Sequence, residues 1–203
     1  MVAHAAAGSV AAVRPEDLDA WLPNPVVRTR HERRAAAPAA RLWEAAQDVR
    51  LSDTGTLGRL VRWRIPGTPE DETFRGLLAR YPFVVLNEGE GWSVSGLCGR
   101  IWTLQRDYPR LDGAEDFRGW DRPGTVRVLF AHWVQDAADG TSTIVSEARV
   151  APTDRAARLR LRSIWAVLGV FERLIGAEPL TVAVDRAARG GRAAGSARAG
   201  RVR

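Results

Sequence analysis

The stretch "SEARVAPTDRAARLRLRSIWAVLGVFERLIG", Ser146–Gly176, decides the fold. It opens with strand-like alternation, meets a single proline at Pro152 and turns into a helical pattern of more than twenty residues. Thr153 is placed to cap that helix, with Asp154 well sited against the positive end of its macrodipole. At 100° per residue, Ala157, Leu161, Ile164, Leu168, Phe171 and Ile175 share one stripe. Leu159, Val167, Val170 and Leu174 widen it, Arg155, Arg158, Arg162 and Arg173 gather on the remaining face, and Gly176 suits the position just past the end. So broad an apolar surface cannot rest on one flat partner. It needs a sheet curled around it.

The sequence immediately upstream supplies part of that sheet. "TVRVLFAHWVQ" and "TSTIVSEARV" flank the turn "DAADG". If Gln135 pairs with Thr143, then Val134 meets Ile144, His132 meets Ser146, Phe130 meets Ala148 and Val128 meets Val150. That face is apolar except for His132 and Ser146. The other carries Arg127, Gln135, Thr143, Glu147 and Arg149, the pattern of a solvated outside.

Further upstream, "PVVRTRHERRA" (Pro25–Ala35) reads as a strand, with Val27, Thr29 and His31 on one face. Pro38 suits the first turn of a helix, "PAARLWEAAQDV". "TLGRLVRW" and "TPEDETFRGLLAR" read as two more short helices. "YPFVVLNEGEGWSVSGLCGRIWT" is a second hairpin, with Glu88 and Glu90 solvated at its turn. Leu104–Gly124 reads as a long polar connection or lid, with Tyr108, Phe117 and Trp120 as candidate anchors. The expected order is strand, short helices, antiparallel strands and a long helix on the concave face.

This order, with two segments in particular, resembles the helix-grip fold of the SRPBCC superfamily (START, Bet v 1 and polyketide-cyclase-like proteins). "VVRTRHERRAAAPAARLWEAAQDV" is similar to the superfamily's opening, and "TSTIVSEARVAPTDRAARLRLRSIW" to the last strand and C-terminal helix of its bacterial members. The likeness covers roughly residues 25–180. It implies an α+β fold, a curved antiparallel sheet wrapped around a long C-terminal helix with short helices after the first strand. It also implies either a carrier of hydrophobic small molecules or a cyclase/aromatase-like enzyme acting in the same cavity. The expected organisation is a partly disordered lead-in at 1–24, with Leu18, Trp21 and Leu22 able to pack back, a helix-grip domain at 25–180 and a disordered basic tail at 181–203.

Charge supports that division. The formal net charge of the 203 residues is +6, but six arginines lie at 186–203 and no acid follows Asp185. Residues 1–185 therefore carry 24 Arg against 24 Asp and Glu. A neutral body argues against a nucleic-acid binder beyond a weak tail contact. Cys98 is alone, so no intrachain disulfide or cysteine zinc site is possible, and a reducing compartment fits. The N-terminus lacks the basic and apolar regions of a signal peptide, and no apolar run approaches a membrane span. The expectation is a soluble cytoplasmic protein without a cofactor.

Few groups carry chemistry. His132 is the candidate acid–base residue, because imidazole titrates near neutrality and the hairpin turns it inward beside Ser146. The alternative is a core histidine satisfied by a hydrogen bond. His4, His31 and His132 stand in separate elements with no metal-ligand spacing, so no metal site is expected. Arg100 and Trp102 share one face of a strand. Facing inward they suit a ligand carboxylate or enolate and a ring; facing outward Arg100 is a surface charge. The expected cavity wall is Val128, Phe130, Val134, Ser146 and Ala148, with Arg100, Trp102, Ile164 and Leu168 as further ligand contacts.

Overall fold

The alternation on either side of "DAADG" sets the register found: Gln135 opposes Thr143, His132 opposes Ser146 and Val128 opposes Val150. The computed structural model describes residues 15–103, 108–137 and 139–199, without the side chains of 15–17, 164–176 and 191–199. Ile164 and Leu168 thus lie outside the described side chains, and residues 1–14 and 200–203 outside the described chain.

In chain order the elements are α1 (Pro15–Trp21), β1 (Val27–Ala35), α2 (Ala39–Gln47), a 3-10 turn at Leu51–Asp53, α3 (Thr56–Arg64), α4 (Phe74–Leu78), β2 (Val84–Gly89), β3 (Trp92–Gly99), α5 (Ala114–Arg118), β4 (Val126–Asp136), β5 (Ser142–Pro152) and α6 (Arg155–Ala199). The five strands form one curved, unclosed antiparallel sheet in the order β1-β5-β4-β3-β2. The helix-grip arrangement expected from the sequence is the one observed: α6 packs on β1, β5 and α2, and the short helices follow the first strand.

The concave side holds two apolar clusters. One joins Leu97, Val126, Val128 and Val150 to Leu161 near the start of α6. The other joins Ala35, Leu42, Val49, Val134 and Ile144 to Leu180, Ala183 and Ala187 near its end. Ala157 and Leu161 are buried and Arg155, Arg158 and Arg162 exposed, as the stripe requires, but Leu159 is 57% exposed and does not widen it. The helix is capped by Asp154, not Thr153. Asp154 accepts from the N–H of Ala157 (2.7 Å) and of Gly124 (2.6 Å), which holds its carboxyl below the usual carboxylate range. Thr153 instead donates its hydroxyl to the carbonyls of Arg122 and Thr125.

Two expectations about surfaces are corrected. The convex face is covered, not solvated. Leu129, Ala131, Trp133, Val145 and Ala151 pack with Leu18, Trp21 and Leu22 from α1 and its end and with Phe117 from α5. Gly96 permits that approach, since a Cβ there would stand 2.7 Å from the Phe117 ring. Glu147 and Arg149, expected in solvent, are 0% exposed and ion-paired (2.6 Å). Arg28 joins Glu147 (2.9 Å) and Asp19 of α1 joins Arg149. Alternation of charged and apolar residues looks the same whether the charges face water or one another.

The end of α6 is the second correction. The helix does not stop at Gly176 but continues through Pro179 to Ala199. Leu180, Ala183 and Ala187 recur at helical spacing, and small side chains suit close packing with α2. Arg186 fixes this segment through Asp53 (2.6 Å) and the Asp48 carbonyl (2.8 Å). A chain ending at Val184 should therefore melt lower than one ending at Arg189, by about 1–2 kcal/mol in urea titrations. Equal midpoints would mean that Arg186 and Ala187 contribute nothing.

Candidate functional site

Between the two concave clusters lies a cavity of about 140 Å³. Its sheet wall comes from alternate positions of three strands: Ser93 of β3, Phe130 and His132 of β4, and Ile144 and Ser146 of β5. Glu88 of β2 stands at the edge. Among the described residues, the opposite wall comes chiefly from α2 (Trp43, Ala46), α3 (Leu57, Val61) and α4 (Phe74, Leu77, Leu78), with Phe83 and with Pro179 and Leu180 of α6. The short helices thus roof the cavity more than the first turns of α6 do. Apolar residues dominate because α2 and α3 each turn a helical stripe toward the sheet. Phe83 meets Phe130 edge-on, with centroids 5.8 Å apart.

The polar lining has two parts. Arg75, Gln47 and Glu88 form a rim: Arg75 donates to Gln47 Oε1 (2.8 Å) and sits 3.7 Å from Glu88, both charged side chains more than half exposed. Deeper in the wall, Ser93, His132 and Ser146 stand side by side on neighbouring strands, directly opposed in register. Among the described residues, none of these three side chains has a hydrogen-bond partner. Burial pushes the His132 imidazole down to about 4, so it is neutral at pH 7. His31 of β1 opposes Ser146 on its other side. Its Nε2 is sealed from solvent and unpartnered, and burial together with Arg33 lowers its pKa.

Of the expected wall residues, Phe130, His132 and Ser146 line the cavity. Val128 and Val134 are buried in the two flanking clusters, and Ala148, beside them on the concave face, is not part of the lining. Arg100 and Trp102 do not share a strand. β3 ends at Gly99, whose φ of +137° turns the chain out of the sheet. Arg100 is exposed beyond it, and Trp102 packs beside Leu97 and Val128 outside the cavity. Ser93, Glu88 and the α2–α4 residues were not anticipated as site residues. The signal for Glu88 and Ser93 was present in the second hairpin, because a turn at Glu90–Gly91 sets them opposite one another.

No group of three His, Cys, Asp or Glu side chains placed to hold a metal ion occurs among the described residues, and no helix there is long and apolar enough to cross a membrane. No family model matches the chain, and no curated protein matches it. Among solved structures it is similar to a hypothetical protein from Helicobacter pylori (11% identity, 90% of this chain and 99% of that one, TM-score 0.39). It is also similar to an aromatase/cyclase from Streptomyces sp. R1128 (16%, 83% and 98%, 0.32) and to norcoclaurine synthase from Thalictrum flavum (12%, 80% and 84%, 0.27). The latter two have SRPBCC/Bet v 1-like folds. At these scores the likenesses carry no functional weight, and the cavity's own residues must.

Proposed function

We propose that the chain binds a hydrophobic small molecule, such as a lipid, polyketide or aromatic metabolite, in the cavity between the sheet, the short helices and α6. The observation that carries this reading is the cavity's composition: an apolar pocket into which Ser93, His132 and Ser146 converge without hydrogen-bond partners among the described residues. A ligand that answers these groups would replace their contact with water by direct hydrogen bonds inside an apolar wall.

The second reading is a cyclase/aromatase-like enzyme in the same cavity, favoured by the convergence of Ser93, His132 and Ser146 on one wall. The protonation state weighs against it. With a pKa near 4, the His132 imidazole is a weak base, and no described carboxylate hydrogen-bonds it to set its tautomer.

A fluorescent apolar probe such as Nile red should bind the purified protein with saturation. Phe130→Trp, which fills the cavity from the sheet side, should weaken that binding more than about tenfold; Val61→Trp should do so from the opposite wall. Binding unchanged in both variants places the probe elsewhere and removes the reading. His132→Ala should leave probe binding largely intact in a carrier and abolish turnover in an enzyme. Native mass spectrometry would reveal any co-purifying molecule directly.

A further inference from the structure

One line of directly opposed residues crosses all five strands on the concave face: Glu88, Ser93, His132, Ser146 and His31. Opposed residues in antiparallel strands stand on the same face with Cβ atoms roughly 5 Å apart, so these side chains form a continuous row. The positions two residues away on β4 and β5 are apolar: Val134 and Ile144 on one side, Phe130 and Ala148 on the other. The row is therefore a polar strip in an otherwise greasy wall, and its three central members face the cavity.

Its chemistry is distinctive in what it lacks. Among the described residues, the charged groups of the lining are Arg75 and Glu88, which face each other across the rim. Deeper in, Ser93, His132 and Ser146 are uncharged. A serine hydroxyl donates and accepts, and a neutral imidazole offers one donor and one acceptor. An anion placed there would meet no cation among the described residues and would lose hydration. A neutral oxygen would find partners for both its lone pairs and its proton. The cavity's volume is close to that of an engineered protein cavity that holds one benzene ring, so the enclosed part of the ligand is about one ring or a short chain end.

Resting on the cavity-binding reading above, we propose that the Ser93–His132–Ser146 strip selects a neutral, oxygen-bearing ligand, a phenol, alcohol or ketone on an apolar body, over both the bare hydrocarbon and the matching carboxylate. The oxygen points to the strip, and any larger remainder of the ligand leaves by the rim at Arg75 and Gln47. His31, beyond Ser146, ends the row outside the lining.

Matched compounds test this: 4-ethylphenol, ethylbenzene and 4-ethylbenzoate, each displacing a bound apolar probe from the full chain at pH 7. The phenol should bind at least about tenfold tighter than ethylbenzene, and the benzoate weakest of the three. His132→Leu with Ser146→Ala, in a protein whose melting temperature shows that it folds, should bring the phenol and ethylbenzene to within about twofold. Ser93→Ala alone should narrow the gap less. Equal binding of phenol and ethylbenzene by the wild-type protein overturns the proposal while leaving the cavity reading intact. So does a preference that survives the double variant, and so does benzoate as the tightest ligand, which would point to Arg75. Failure of the probe and all three compounds to bind overturns the cavity reading itself, and this one with it.

Discussion

Glu147→Ala should destabilise the folded chain by about 3–5 kcal/mol in urea unfolding, a large share of the total stability of a typical domain. Glu147 and Arg149 are two residues apart on β5, so both project from the convex face, and both are 0% exposed. Glu147 accepts from Arg149 Nε at 2.6 Å and pairs with Arg28 Nε at 2.9 Å. Removing the carboxylate takes from the buried Arg149 guanidinium the one described partner that is itself fully buried, since Asp19, which also pairs with it, is 61% exposed. The cost comes from weakening the compensation of a buried charge more than from losing a favourable pair. Glu147→Leu with Arg149→Met should therefore recover to within about 1 kcal/mol of wild type or exceed it, since Arg28 and Asp19 reach water on their own. A loss below about 1 kcal/mol in Glu147→Ala would mean that Arg149 swings out to solvent. The contact between Asp19 and the sheet would then not hold α1 in place.

This convex cluster also shows where sequence reading stopped. Local periodicity was enough for the hairpin register, the buried start of α6 and the succession of short helices, because each of those is written in spacings of two to four residues. Nothing local says what covers the far face of a sheet. Glu147 and Arg149 read as a solvated pair because the described partners on other strands and helices, Arg28 and Asp19, lie more than a hundred positions away. The site divides in the same way. His132, Ser146 and Phe130 followed from one hairpin, whereas Ser93 reaches them only through the β3–β4 pairing, which spans the long connection between the two hairpins. Trp43, Val61 and Phe74 were legible as apolar faces of short helices, but the sheet residues they would oppose were not. For the end of α6, "TVAVDRAARGG" has little to bury. It stays helical against small partners in α2 and through Arg186, and alanine's contact energy is too small to stand out in composition.

Acid should destabilise the protein through His132 before most carboxylates titrate. Among the described residues, the imidazole lies beside the hydroxyls of Ser93 and Ser146 and shares the cavity wall with Phe130 and Ile144, with the Arg75–Glu88 pair out at the rim. Burial lowers its pKa from 6.5 to about 4. In this case the unfolded chain takes up the proton more readily than the folded one. The stabilisation from keeping His132 neutral is therefore complete above pH 6.5 and is lost as the pH falls toward about 4, by an amount on the order of 3 kcal/mol. Comparing wild type with His132→Leu isolates this contribution, because His31, which is also depressed, and the carboxylates titrate in both proteins. Unfolding free energies measured by urea at pH 7 and pH 4.5 should show wild type losing stability relative to the variant across that interval. Parallel pH profiles would mean that water reaches His132 freely. The strip would then be hydrated in the empty protein, and its selectivity would have to come from displacing that water instead of from unmet hydrogen bonds.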